Sequence, residues 1–207
     1  MTPFTTLTAI AAPLPQPNID TDVIMPKQFL KRIDREGLAE GAFHDVRFKN
    51  GKPDPDFVLN QLPYDSAKIL VCGDNFGCGS SREYAVWGLM QLGIRAIIAP
   101  SIAGIFFGNC EMNGLLAITL PDDEVAMLLA RVANPDSATL TIDLPSQTIE
   151  APGMMALSFS IGEARKHNLM AGVDHVGQTL GWAEDIKAFE IQQGNARPWM
   201  WSRGRSI

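Results

Sequence analysis

Between residues 67 and 132 the chain alternates short apolar runs with longer amphipathic ones, and that alternation leaves few folds open. Residues 67–72 (AKILVC), 96–99 (AIIA) and 115–120 (LLAITL) are too short for helices, so each reads as a buried strand. Helical spacing fills the gaps at 81–92 and 101–112. Beyond Asp122 the apolar Val125, Leu128, Leu129 and Val132 fall at i, i+3, i+4 and i+7, the stripe of a third helix. Strands joined through helices by short turns pair in parallel, as βαβ units. An α/β core is therefore expected.

The flanks read differently. Pro13, Pro15, Pro17, Pro26, Gly37, Gly41, Gly51, Pro53 and Pro55 punctuate the first 62 residues, which predicts a loop-rich part with short strands. Residues 138–159 hold three short extended segments with turns around Pro145 and Pro152-Gly153, the pattern of an antiparallel meander. Helices are expected again over 160–170 and 176–192, the second interrupted near Gly181. The expected organisation is one domain: a loop-rich part (1–62), the βαβ core (63–135), the meander with its helices (136–195) and a C-terminal arm (196–207). The arm is basic and aromatic, with Arg197, Trp199, Trp201, Arg203 and Arg205, and reads as a surface segment that touches its own domain or a partner protein.

Charge and cysteine usage narrow the partners. Seventeen basic against twenty-three acidic residues give a net charge of −6, which opposes binding to nucleic-acid backbones or anionic membranes. No apolar run approaches the roughly 20 residues that span a bilayer. Residues 1–14 lack the basic and apolar regions of a signal peptide, so a cytoplasmic protein is expected. Cys72, Cys78 and Cys110 are odd in number and show no C-x-x-C spacing, which argues against a disulfide framework, a zinc knuckle or a cluster-binding cysteine run. His44, His167 and His175 share no ligand spacing, so no metal is expected on this chain.

The chemistry concentrates in residues 73–83 (GDNFGCGSSRE), between a predicted strand and a predicted helix. Ser80 followed three residues later by Glu83 has the form of a capping box, which places Ser80 at the helix N-cap and Ser81 and Arg82 in the first turn. Open amide groups, the helix dipole and the planar fork of Arg82 would then form a site for a small carboxylate. Neither a nucleotide loop nor a nucleophile elbow fits the glycine and serine spacing. A second constellation is residues 18–24 (NIDTDVI), where Asp20 and Asp22 flank Thr21. The two acids share one face if the segment is extended, and an Asx-type turn is the alternative.

Residues 18–30 (NIDTDVIMPKQFL), 74–85 (DNFGCGSSREYA) and 109–118 (NCEMNGLLAI), together with 53–60 (PDPDFVLN) and 188–190 (AFE), resemble the small subunits of bacterial 3-isopropylmalate dehydratases. The resemblance runs in order along nearly the whole chain. It implies a swivelling β/β/α domain, equivalent to the last domain of aconitase, docked onto a separate large subunit that holds a [4Fe-4S] cluster. No cofactor would be bound by this chain itself. The resemblance assigns the base to Ser80 and the substrate carboxylate to Ser81 and Arg82, with Thr21 and Asp22 lining the same cleft. The loop 27–35, with Lys31 as a binding residue, matches the segment that reads the variable side group of a hydroxy di-acid. The implied activity interconverts 2- and 3-isopropylmalate by dehydration and rehydration, in leucine biosynthesis, with iron as the Lewis acid for the departing hydroxide.

Three positions depart from the family's usual pattern: Tyr84 for histidine, Ile102 for phenylalanine and Gly104 for aspartate. Tyrosine does not switch charge near neutral pH as histidine does. They leave open a paralogous hydro-lyase for citraconate, methylmalate or dimethylmalate, and, from another class, a non-catalytic carboxylate-binding module.

Overall fold

The computed structural model describes residues 1–31, 36–80 and 82–200, with the backbone alone at His175. Its first element, β1 (Thr6–Leu14), is a nine-residue strand where the proline content predicted loop. Two single helical turns follow, α1 (Thr21–Ile24) and α2 (His44–Arg47), and then a hairpin of β2 (Phe48–Lys49) and β3 (Lys52–Pro53). The predicted alternation comes next: β4 (Ile69–Cys72), α3 (Glu83–Leu92), β5 (Ala96–Ala99), α4 (Gly104–Asn113), β6 (Leu116–Thr119) and α5 (Asp122–Val132). The meander is β7 (Thr139–Asp143), β8 (Thr148–Glu150) and β9 (Leu157–Ser158). Helices α6 (Glu163–Ala171), α7 (His175–Gly181) and α8 (Ala183–Ala196) complete the order, with the expected break at Gly181 separating the last two.

Two compact units divide the chain, Met1–Gly172 and Val173–Ile207. The first holds a seven-stranded sheet in the order β6-β5-β4-β1-β7-β8-β9. From β6 to β1 the strands are parallel, and from β1 to β9 antiparallel. Every residue of β4 and β5 is buried, as parallel strands covered on both faces require. Val125, Leu128 and Val132 turn the buried stripe of α5 inward.

The strand β1 joins the two halves of the sheet. Its residues Thr6–Ile10 pair with β7, and Ala11–Leu14 pair with β4. Pro13 is tolerated for a geometric reason. The Ala11 amide donates to the Ala138 carbonyl on the β7 side, and two residues later Pro13 faces the same way, past the last β7 pairing at Ile10. No ladder bond is lost there. No helix among the described residues is long and apolar enough to cross a membrane. Within the second unit, Asp174 caps α7 through its side chain, which accepts from the Gly177 amide at 2.7 Å.

Candidate active site

After β4 the chain passes so near the 15–17 segment that a Cβ added to Gly73 would lie 2.5 Å from the Pro15 carbonyl oxygen. The following loop then extends the sheet pattern beyond its edge. On one side the Asn18 amide donates to Asp74 O, the Gly77 amide to Ile19 O and the Thr21 amide to Cys78 O, each at 2.8 Å. On the other side the Phe76 amide donates to Ser101 O at 3.1 Å, and the Ala103 amide to Phe76 O at 2.9 Å. Phe76 is fully buried, its ring edge-on to Phe106 with centroids 5.6 Å apart. The loop is thus laced to both neighbours through its backbone.

The segment with the two acids is not extended. Asp20 is the N-cap of α1, its carboxylate accepting from the Val23 amide at 2.7 Å, so the Asx-type alternative describes it. Asp22 follows two residues later, inside the first turn of α1, and is left for a different task. Its Oδ1 forms an ion pair with Arg82 Nη1, sixty residues away in sequence, and Lys27 Nζ lies 3.9 Å from Oδ2. Thr21, buried between them, donates from Oγ1 to the Ser80 carbonyl at 3.0 Å. Thr21, Asp22, Ser80 and Arg82 therefore meet.

The capping box does not form. Helix α3 begins at Glu83, with Arg82 in extended conformation at the N-cap and no side-chain cap. Two competing interactions explain this. Thr21 holds the Ser80 carbonyl, while the Glu83 carboxylate accepts from Asn113 Nδ2 at 2.7 Å instead of reaching back. Gly79, at φ +95°, lets the chain swing outward. Ser80 is left exposed, and its hydroxyl makes no hydrogen bond among the described residues. A side chain expected to cap a helix is free for a ligand.

Ser81 and residues 32–35 of the recognition loop lie outside the described residues. Lys31 ends a 3-10 turn (Lys27–Lys31) anchored by buried Phe29; it is exposed and makes no hydrogen bond or ion pair among the described residues. The structure joins it to the cluster by no direct contact. Of the three unusual positions, the Tyr84 ring lies 4.8 Å from that of Trp87, and Ile102 bridges to Phe76. Gly104 opens α4 with no atom within 4 Å of an added Cβ.

Burial pushes the Cys72 and Cys110 thiols well up, so both stay protonated. Among the described residues no group of three His, Cys, Asp or Glu side chains is arranged to hold a metal. The described residues therefore assemble no donor set for an iron–sulfur cluster. Sequence reasoning missed two groups that shape the site. Ser101 Oγ donates to Asp74 Oδ1 at 2.5 Å and accepts from the Asn75 amide at 3.0 Å, fixing the loop's base. Asn113 grips Glu83, and only its place in the 109–118 motif pointed to it.

Residues 1–123 match the family model of the aconitase C-terminal domain, and residues 176–200 match that of the C-terminal domain of 3-isopropylmalate dehydratase small subunits. The 3-isopropylmalate dehydratase small subunit of Dinoroseobacter shibae is 51% identical over 201 residues, 97% of this chain and 100% of that one. Its counterpart from Rhodospirillum rubrum is 50% identical over 201 residues, covering 97% of each chain. Among solved structures, a 3-isopropylmalate dehydratase from Methanocaldococcus jannaschii aligns with a TM-score of 0.63 at 25% identity, over 91% of this chain and 99% of that one.

Proposed function

The chain belongs to the family of 3-isopropylmalate dehydratase small subunits, and from that premise we propose that it supplies the carboxylate-binding and proton-moving half of that hydro-lyase. It works with a large subunit to interconvert 2- and 3-isopropylmalate through isopropylmaleate, a step of leucine biosynthesis in the cytoplasm. In this reading the cluster is held by the large subunit, and this chain supplies no ligand to it. One observation carries the assignment of roles: the Asp22–Arg82 pair sits beside an exposed, unengaged Ser80 hydroxyl, with Thr21 tying the two segments together.

The reaction removes a proton from the carbon beside a carboxylate and a hydroxide from its neighbour, and then returns both with the positions exchanged. Arg82 binds the carboxylate with its fork of donors, and Ser81 shares that task. Ser80 Oγ takes the proton from carbon, holds it while isopropylmaleate is bound, and gives it back on rehydration. One proton and one hydroxide leave and one of each returns, so the two half-reactions balance. An alkoxide is costly in bulk water, so Ser80 needs preorganised donors in a closed site. The first turn of α3 carries no side-chain cap, so the positive end of its dipole faces the site, and Arg82 adds positive charge. Lys31 and the 27–35 loop contact the variable side group.

Asp22 orients Arg82. Its side chain is 44% exposed against 16% for Arg82, so the pair adds at most about 1 kcal/mol to stability. Arginine carries roughly 2 kcal/mol of rotamer entropy, part of which Asp22→Asn would release before substrate binds. That variant should keep its melting temperature and raise KM about tenfold, with kcat within about threefold, in steady-state kinetics. A lower KM would mean that Asp22 competes with substrate.

The substrate is tested by comparing kcat/KM across isopropylmalate, citramalate-type methylmalates and dimethylmalate on the assembled enzyme. Isopropylmalate should be turned over best. A tenfold advantage for a methylated malate, about 1.4 kcal/mol in the transition state, would replace this assignment with the paralogous one.

A further inference from the structure

Asn113, the last residue of α4, takes part in none of these steps, yet its side chain is fully engaged. Nδ2 donates to Glu83 Oε1 at 2.7 Å and to Asn109 O at 2.9 Å, while Oδ1 accepts from Trp87 Nε1 at 2.8 Å. Glu83 and Trp87 are four residues apart and so share one face of α3. A single amide on α4 thereby holds the first and second turns of α3. That matters because α3 starts with no side-chain cap, and a helix end without one frays more readily. The residue immediately before Glu83 is Arg82.

We propose that Asn113 is a positioning residue for Arg82: by fixing the start of α3 from outside, it sets where the guanidinium meets the substrate carboxylate. The inference rests on the carboxylate-binding role assigned to Arg82 above. Two clamps flank the site residues, Thr21 on the Ser80 carbonyl and Asn113 on the carboxylate of Glu83, next to Arg82. The Thr21 clamp holds the Ser80 end independently, so loosening the Asn113 clamp weakens binding and leaves proton transfer largely intact. The side chain has to be an amide. An aspartate of the same shape still accepts from Trp87 but donates to neither Glu83 nor the Asn109 carbonyl, and it opposes two carboxylates where the Glu83 hydrogen bond had been.

The test uses the assembled two-subunit enzyme. Asn113→Asp should raise KM for isopropylmalate about tenfold while kcat stays within about threefold. Adding Glu83→Gln, whose amide donates to the introduced carboxylate, should return KM to within about threefold of wild type. A merely structural role would lower the melting temperature without that reversal. An unmoved KM in Asn113→Asp, or a defect that Glu83→Gln leaves unrepaired, overturns the inference. Arg82→Lys in the same series separates it from its premise. If Arg82→Lys raises KM and Asn113→Asp does not, positioning alone is refuted; if neither moves KM, the role of Arg82 falls as well.

Discussion

Replacing Ser80 by alanine should cut turnover of the assembled enzyme by two to four orders of magnitude, the roughly 10²–10⁴ that a positioned acid–base group contributes. Stability should hardly change. Ser80 is exposed, its hydroxyl makes no hydrogen bond among the described residues, and the N-cap position of α3 belongs to Arg82. Its hydrogen bond to the rest of the described residues runs through the carbonyl, which Thr21 holds at 3.0 Å and which alanine retains. Surface replacements of this kind stay within about 0.5 kcal/mol, a shift of one or two degrees in melting temperature. Had Ser80 been a cap, the loss would have been nearer 1 kcal/mol, and activity and stability would have been entangled. The geometry separates them. Retention of more than about a tenth of wild-type kcat by Ser80→Ala would move the proton to another group.

Gly77→Ala should be the most damaging single methyl in the site. Gly77 has φ +74°, and an added Cβ would lie 2.3 Å from Cγ of the buried Phe106 ring. Both effects add: about 1–2 kcal/mol for an L-residue in the left-handed region and about 1–3 kcal/mol for overpacking. The melting temperature should fall by roughly 5–15 °C. Gly51→Ala is the control, because Gly51 shares a positive φ of +72° but has nothing within 4 Å of its added Cβ. It should show the backbone cost alone. Equal losses in the two variants, measured by thermal denaturation, would show that Phe106 yields and that the loop is less tightly laced than its hydrogen bonds indicate.

What could be read from the sequence followed from how local each signal is. The βαβ core was legible because strands of four buried residues such as Ile69–Cys72 and Ala96–Ala99 leave no face for solvent, and because Val125, Leu128 and Val132 mark one stripe of α5. The meander and the break at Gly181 were legible from turn residues. Strand β1 was not, since its proline is harmless only because β7 pairs no further than Ile10, a fact of tertiary register. The segment 73–83 stands out in the sequence, but its local geometry does not follow from its spacing. Ser80 and Glu83 have capping-box spacing, and long-range partners, Thr21 and Asn113, claim the groups that would have formed it. Asp22 shows the same limit. Nothing nearby in sequence points it at Arg82; the Thr21–Cys78 and Ile19–Gly77 backbone bonds do.

The central claim, that this chain is one half of a two-subunit dehydratase, is tested most directly by following the hydration of isopropylmaleate with and without a reconstituted large subunit. The chain alone should be colourless and inactive. Its addition to the cluster-loaded large subunit should give activity that saturates as the two chains reach equal amounts. Turnover by the isolated chain, or an inactive mixture of two well-folded subunits, would contradict it.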